Sequence, residues 1–257
     1  MKRLLPLAAL AIALGAQADD RRDTLYQIST IDALLSGVYD PLARLADVLP
    51  HGDFGLGTFE SLDGELILLD GQIYRAGADG QVTRMPPETA TPFVAVTRFD
   101  ADQVLEVPPG LDYAAFRTWL EARLPSRNIP YAVRLDGRFE QVAYRSVPRQ
   151  DRPFRPLGEV QQSFFEQGAT SGTLVGFWCP AFTKGVNVPG FHLHFLAEDR
   201  QHAGHLLDFR LAAGKVQLDL TDDWQVALPM APAFLERDLS GDRSATLHAV
   251  EQGKSGQ

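Results

Sequence analysis

Cysteine is nearly absent from this sequence of 257 residues, which contains only Cys179. A single cysteine excludes an intramolecular disulfide and a cysteine-rich zinc module. Positive charge is also scarce, because 24 lysines and arginines face 33 aspartates and glutamates, for a formal net charge of −9. A basic nucleic-acid-binding surface is therefore not expected. An anionic ligand would need a local positive group, such as a metal ion or an arginine.

Long apolar runs are lacking beyond the first residues of the chain. Lys2 and Arg3 precede an apolar stretch from Leu4 to Leu14, and Ala18 completes a small-x-small cleavage pattern. This order of features predicts a signal peptide over residues 1–18. The apolar stretch is too short to cross a bilayer, which takes about 20 residues. We therefore predict an exported protein, periplasmic or secreted, that is not attached to a membrane once the signal is removed.

The remaining sequence has an ordinary composition, with 45% apolar and 22% charged residues, which is typical of a globular protein. Ser29 and Thr30 can cap a short helix, and a second helix is predicted over residues 113–124. Most other segments have the pattern of strands. Asp-Gly pairs beginning at residues 63, 70, 79 and 136 predict hairpin turns between them.

Proline is concentrated at residues 147–157, which resemble a connection between two halves of the chain. We predict an α+β fold of two lobes, built on mixed and antiparallel sheets with few helices. Residues 19–155 would form the N-terminal α+β lobe. Residues 156–257 would form a β-rich C-terminal lobe that carries a metal site and an active-site tail.

Four of the six histidines lie close together, and three of them have the spacing of a metal site. His192 and His194 share one face of a predicted strand, because side chains alternate along a strand. Residues 198–204 have the composition of a turn. If that hairpin is centred between Asp199 and Arg200, His205 lies directly across from His194 on the same face. Three histidines then converge on one hairpin, as in catalytic zinc sites with an open position.

Three neutral imidazoles suit zinc best, although iron, copper, nickel and manganese accept the same ligands. Glu198 and Asp199 are candidate acceptors for the ring N–H groups of these histidines. The same segment permits a second interpretation, because His192, His194 and Glu198 approximate the first metal motif of the cupins. That alternative predicts a metal-dependent oxygenase. A third is a secreted metal-binding module without catalytic activity.

The residues around the histidines resemble a known family, bacterial α-acetolactate decarboxylase. The zinc segment of that family is similar to residues 187–196 (NVPGFHLHFL), and its third-ligand segment is similar to residues 204–209 (GHLLDF). Further similar stretches occur in order along nearly the whole chain: residues 26–40, residues 52–59 with 62–66, and residues 144–148 (YRSVP).

The resemblance implies a zinc-dependent carboxy-lyase that converts 2-acetolactate to acetoin through a metal-stabilised enediolate, in the acetoin and butanediol branch of pyruvate metabolism. It also implies one zinc ion per chain, a two-lobed α+β fold and a homodimer. By this resemblance the metal ligands are His192, His194 and His205. The implied active-site residues are Glu65, Arg145, Glu251 in the C-terminal tail, and Thr58 as a substrate contact.

Overall fold

The computed structural model describes residues 23–253; the signal peptide predicted over residues 1–18 lies outside them. Fifteen strands and five α-helices occur in the described part of the chain. The strands are β1 (Thr24–Ile28), β2 (Ala43–Arg44), β3 (Phe54–Thr58), β4 (Glu65–Leu69), β5 (Gln72–Ala76), β6 (Val82–Arg84), β7 (Ala90–Thr91), β8 (Phe93–Thr97), β9 (Gln103–Val107), β10 (Tyr131–Ser146), β11 (Ser163–Gln167), β12 (Thr170–Cys179), β13 (Gly190–Ala197), β14 (Ala203–Leu220) and β15 (Asp223–Ala227). The helices are α1 (Ile31–Leu35), α2 (Leu45–Val48), α3 (Tyr113–Glu121), α4 (Pro232–Leu235) and α5 (Ser244–Glu251).

Seven strands form the first sheet, in the order β15-β1-β8-β3-β4-β5-β6. Its central strands β3, β4 and β8 are buried at every position, since both faces of the sheet are covered. β1 runs parallel to β15 and antiparallel to β8, so the sheet is mixed. β4 begins at Glu65, and this strand presents its first side chain to the second sheet.

The second sheet has six strands and closes on itself. β10 pairs with β12 along one edge and with β14 along the other, while β13 pairs with both β12 and β14. These four strands form a small barrel, whose apolar interior includes Leu135, Phe139, Phe195 and Leu218. Phe116 and Leu120 of α3 belong to the same cluster, so the helix caps one opening of the barrel.

The two sheets pack against each other through a shared apolar layer. Leu56 and Ile67 of the first sheet belong to the same buried cluster as Val175 and Phe177 of the second. A further cluster joins α1, residues 147–160 and α5. The candidate site lies where these two clusters meet the outer face of the barrel. In the described residues no helix is long and apolar enough to cross a membrane.

The predicted fold class is confirmed, because few helices accompany several mixed and antiparallel sheets. Thr30 caps α1, with its hydroxyl accepting from the Ala33 N–H, and the second predicted helix is α3. The predicted lobe boundary near residue 155 does not separate the two sheets. β9 and β10 belong to the second sheet and β15 to the first. The two lobes themselves stay a prediction.

One hairpin prediction is wrong, because Asp136 and Gly137 lie in the middle of the continuous strand β10. Gly137 pairs with Gly172 on one side and Gly214 on the other. A Cβ at this position would lie 2.9 Å from the Ala213 carbonyl oxygen. The glycine therefore permits a close approach within the barrel wall rather than a turn. Asp136 accepts hydrogen bonds from Arg134, Thr173 and Gln217.

Candidate metal centre and active site

The predicted hairpin forms with the predicted register. His194 pairs with His205, Phe195 with Gly204 and Leu196 with Ala203. His192 and His194 alternate with Phe191 and Leu193, so the imidazoles face the first sheet while the apolar side chains face the barrel interior. His205 also pairs with Arg145 of β10 on its other side. Strand ladders on both sides therefore fix the third histidine.

The three histidines form a compact, buried cluster. One ligand nitrogen from each of His192, His194 and His205 lies within 4.8 Å of the others. The ring centroids are separated by 5.1 to 5.4 Å. His194 is fully buried and His205 is 2% exposed. The convergence of three nitrogen donors, with side chains held on rigid strands, is the arrangement that metal binding requires.

Burial holds these imidazoles in the neutral form that binds a metal. It lowers the pKa of His194 to about 3; the hydrogen bond to Leu66 opposes this effect, and the charge of Arg145 adds a smaller lowering. Burial and the neighbouring His194 and Arg145 also hold the pKa of His192 well below its ordinary value. Burial and the charge of Arg145 also lower the pKa of His205 well below its ordinary value, although a hydrogen bond to the backbone of Glu251 raises it.

The hydrogen bonds of the rings test whether the cluster fits a metal ion. The Nδ1 atom of His194 bonds the Leu66 carbonyl oxygen at 2.9 Å, which assigns the proton to Nδ1 and leaves Nε2 with its lone pair. Nε2 of His194 and Nδ1 of His192 are buried and have no hydrogen-bond partner among the described residues. Unpaired buried nitrogens are costly unless a ligand binds them. The residues therefore fit a metal.

The sequence predicted that Glu198 and Asp199 accept hydrogen bonds from the histidine rings, whereas His194 bonds the Leu66 carbonyl oxygen. Glu198 and Asp199 lie in the exposed turn of the hairpin, where Asp199 accepts from the Gln201 N–H. A backbone carbonyl on β4 therefore accepts the hydrogen bond that was expected to go to a carboxylate. Glu198 is also outside the histidine cluster, so the cupin-like ligand set of His192, His194 and Glu198 is not assembled.

Glu65 and Arg145 form a buried ion pair beside the histidines. Arg145 Nη1 donates to Glu65 Oε1 at 2.7 Å, and the other carboxylate oxygen lies 3.6 Å from His194 Nε2. Burial raises the pKa of the Glu65 carboxyl, and the bond to Arg145 opposes that effect. The Nε atom of Arg145 is buried and has no partner among the described residues. The guanidinium therefore retains donor capacity toward the site.

A tight turn at Gly64 positions Glu65. Gly64 has a φ of +91°, and a Cβ there would lie 2.5 Å from the Ala76 carbonyl oxygen. Only glycine accepts this conformation and this contact without strain. The Thr58 hydroxyl donates to the Gly64 carbonyl oxygen at 2.7 Å. Thr58 thus lies at the cavity wall and supports the turn before Glu65; its predicted substrate contact stays a prediction.

Glu251 reaches the cluster from the last helix of the described chain. It ends α5, and its Oε2 atom lies 3.5 Å from His205 Nε2. Burial raises the pKa of Glu251 to about 7, with Arg145 lowering it and Glu65 raising it. The resemblance alone predicted this residue, and the structure places it in the same group as Glu65, Arg145 and the histidines.

Most of these polar groups line one narrow cavity, which we call the inner pocket; His194 lies outside its lining. One side is polar, with His192, His205, Glu65, Arg145 and Glu251. The other side is apolar and includes Ile31, Leu34, Phe93, Leu157 and Val250. Neither this apolar wall nor the Leu66 carbonyl could be predicted from the sequence, because neither forms a motif. The chemistry of this lining suits a small molecule that has both a charged end and methyl groups.

Comparisons with known proteins agree with this arrangement. The chain matches the family model "Alpha-acetolactate decarboxylase" over residues 25–241. It is 43% identical over 237 residues to an alpha-acetolactate decarboxylase of Methanosarcina mazei, covering 91% of this chain and 82% of that protein. It is 41% identical over 229 residues to that of Methylococcus capsulatus, covering 88% of each. The crystal structure of the Bacillus subtilis strain 168 protein superposes with a TM-score of 0.86 at 36% identity, covering 90% of this chain and 99% of that one.

Proposed function

Because the chain belongs to the alpha-acetolactate decarboxylase family, whose members are carboxy-lyases, we propose that it converts 2-acetolactate to acetoin with a zinc ion held by His192, His194 and His205. The observation that carries this proposal is the meeting of three buried histidines with a buried Glu65–Arg145 pair and Glu251 in one site. The metal-dependent oxygenase and the non-catalytic metal-binding module are the alternatives.

The three imidazoles would hold the metal, and Nε2 of His194 and Nδ1 of His192 have no hydrogen-bond partner among the described residues. Zinc is the metal that three neutral imidazoles with an open position suit best. When bound, the ion supplies Lewis-acid stabilisation of the negative charge that develops on the ketone oxygen of the substrate. Neutral histidines leave its positive charge uncompensated, which favours an anionic substrate in a protein of net charge −9.

Arg145 orients the bond that breaks. The reaction breaks the bond between the carboxylate carbon and C2, and its electron pair moves toward the ketone. Nη1 of Arg145 is occupied by Glu65, while its remaining donors include the unpartnered Nε. These donors can hold the substrate carboxylate by charge-assisted hydrogen bonds. Holding the carboxylate in one orientation lowers the entropic part of the barrier.

Glu65 and Glu251 supply the proton that replaces CO2 at C2. They approach the cluster from different sides, Glu65 beside His194 at 3.6 Å and Glu251 beside His205 at 3.5 Å. Two carboxyl groups that share a site tend to share a proton, so one serves as acid while the other serves as base. The apolar wall of the pocket limits the access of bulk water to C2.

The test is release of CO2 and acetoin from racemic 2-acetolactate under anaerobic conditions. We expect equal amounts of the two products above the spontaneous loss in a buffer blank. A chelator should abolish the release, and added Zn²⁺ should restore it. Release that requires O₂ would favour the oxygenase, and a metal-loaded protein that releases nothing would favour the non-catalytic module. The metal content of the purified protein identifies the ion.

Export and a homodimeric state belong to the same proposal. The sequence features of residues 1–18 support removal of a signal peptide after Ala18. N-terminal sequencing of the protein recovered from the periplasm and medium tests this, and Asp19 as the first residue is the expected result. Light scattering coupled to gel filtration tests the dimer.

A further inference from the structure

A second, larger cavity adjoins the inner pocket. This outer cleft lies between α3, α5 and the adjacent ends of β13 and β14. Two residues, His205 and Glu251, line both cavities. The inner pocket is surrounded by buried side chains, so a substrate needs a route to it. The outer cleft adjoins that pocket directly at His205 and Glu251.

The outer cleft arises from the way the barrel closes. β13 and β14 pair over only three residue pairs, from His194–His205 to Leu196–Ala203. Beyond His205, β14 continues to pair with β10, whereas residues 190–193 of β13 pair with β12. The two strands therefore separate, and Phe191, Leu193 and Leu206 form an apolar floor at the gap.

The two residues of the shared wall differ in how firmly they are held. His205 is fixed by strand pairing on both sides. Glu251 ends an eight-residue helix without a side-chain N-cap, whose buried residues are Leu247 and Val250. Helices this short are marginal without tertiary support. The chain before α5 is largely exposed from Glu236 to Ser244. α5 is therefore the part of the wall that can move.

The polar groups of the outer cleft include two cations that suit an anionic ligand. Arg117 is exposed on α3, with its guanidinium carbon 5.6 Å from the centre of the Tyr113 ring. Lys184 lies on the opposite side and bonds Asp242 at 3.0 Å. Asp208 is an opposing charge, but it accepts from the backbone N–H groups of Tyr113 and Phe209. Arg117 is thus placed to attract a carboxylate.

We propose that the outer cleft is an entry chamber for the anionic 2-hydroxy-3-oxo acid, and that α5 is the gate between this chamber and the inner pocket. The substrate binds near Arg117, α5 moves outward, and its return brings Glu251 back against His205. This inference rests on the proposed function for the identity of the substrate. It adds a binding site and a movement that the reaction itself does not require.

A reversible cross-link tests the gate directly. A Cβ at Gly158 would lie 2.9 Å from Cγ2 of Thr246 on α5, so Gly158→Cys with Thr246→Cys places two thiols within bonding reach. Cys179 is buried and does not compete. We expect oxidation to lower kcat/KM by about tenfold or more, and reduction to restore it. Metal content should not change, and each single variant should be insensitive to oxidation.

Full turnover by a completely oxidised double variant, with the disulfide verified by mass spectrometry, would overturn the gate. This outcome differs from failure of the proposed function, in which the wild-type and reduced proteins would also be inactive on acetolactate.

Two substitutions on α3 test the chamber without relying on the cross-link. Ala114→Trp fills the cleft, whereas Ala115→Trp is the matched control, because Ala115 is exposed on the same helix and does not line the cleft. Arg117→Gln removes the attracting charge, and Arg123→Gln makes the same change in net charge elsewhere on the chain. We expect kcat/KM to fall by about 3- to 10-fold for Ala114→Trp and Arg117→Gln alone, with the Arg117 effect weakening in high salt. Equal effects in test and control variants would reject the entry chamber.

Discussion

Two of the regions that line the inner pocket, the barrel and the C-terminal tail, support their side chains very differently. The barrel carries His194, His205 and Arg145 at positions that pair on both edges, and His192 at a position that pairs with β12. The tail carries Glu251 on a short helix that has two buried residues. The histidines and Arg145 are thus held in place by hydrogen bonds between strands. The position of the Glu251 carboxyl depends instead on a small apolar contact of α5.

This difference suggests a division of tasks within one site. Metal binding and substrate orientation need positions that are accurate to a fraction of an ångström, which rigid strands provide. A group that meets the substrate after entry can lie on an element that moves, since elements of low local stability are the ones that open. Substitutions in the barrel and in the tail should therefore change different properties of the protein.

The largest expected effect comes from the barrel, with His205→Ala. This change removes one of the three donors that lie within 4.8 Å of one another. We expect bound metal and turnover to be lost together, measured by elemental analysis and acetoin release. His202→Ala is the control, because His202 lies outside the cluster. Full metal occupancy in His205→Ala would refute the hairpin as the metal centre.

A second barrel change, Arg145→Ala, should separate metal binding from turnover. We expect metal to be retained while turnover falls by about a hundredfold or more, because the substrate carboxylate is no longer oriented. Stability should also fall by about 3–5 kcal/mol, because Glu65 is left buried without its partner. Adding Glu65→Gln should recover part of the stability, measured by urea unfolding, but not the turnover. Near-normal turnover of Arg145→Ala would remove this residue from the reaction.

The smallest expected change in global stability comes from the tail, with Leu247→Ala. The lost apolar contact should weaken the docking of α5 by about 2–3 kcal/mol. The amides of α5 should then exchange hydrogen about 30- to 150-fold faster, with turnover reduced and metal content unchanged. Leu235→Ala is the matched control, because Leu235 is 56% exposed. Loss of metal, or unchanged exchange in α5, would contradict the independence of the two regions.

The same division explains what the sequence could predict. The alternation of His192 and His194 and the position of His205 follow from strand geometry, and the register agrees at all three pairs. The ion pair of Arg145 with Glu65 joins residues 80 positions apart, and the family resemblance implied only that both residues belong to one active site. The turn predicted at Gly137 is wrong, because glycine is favoured both in turns and at crowded positions within strands. The outer cleft depends on where two strands separate, which local patterns do not encode.

The closeness of the three metal ligands in sequence also affects the order in which the centre can assemble. His192 and His205 are 13 residues apart on one hairpin, and such hairpins form in about 1–10 microseconds. The contact of His194 with Leu66 spans 128 residues, and distant contacts of this kind form slowly. An ion can therefore be captured by a nascent hairpin while Glu65, Arg145 and Glu251 are still apart. Metal loading would then stabilise the folding chain before the protein is able to react with its substrate.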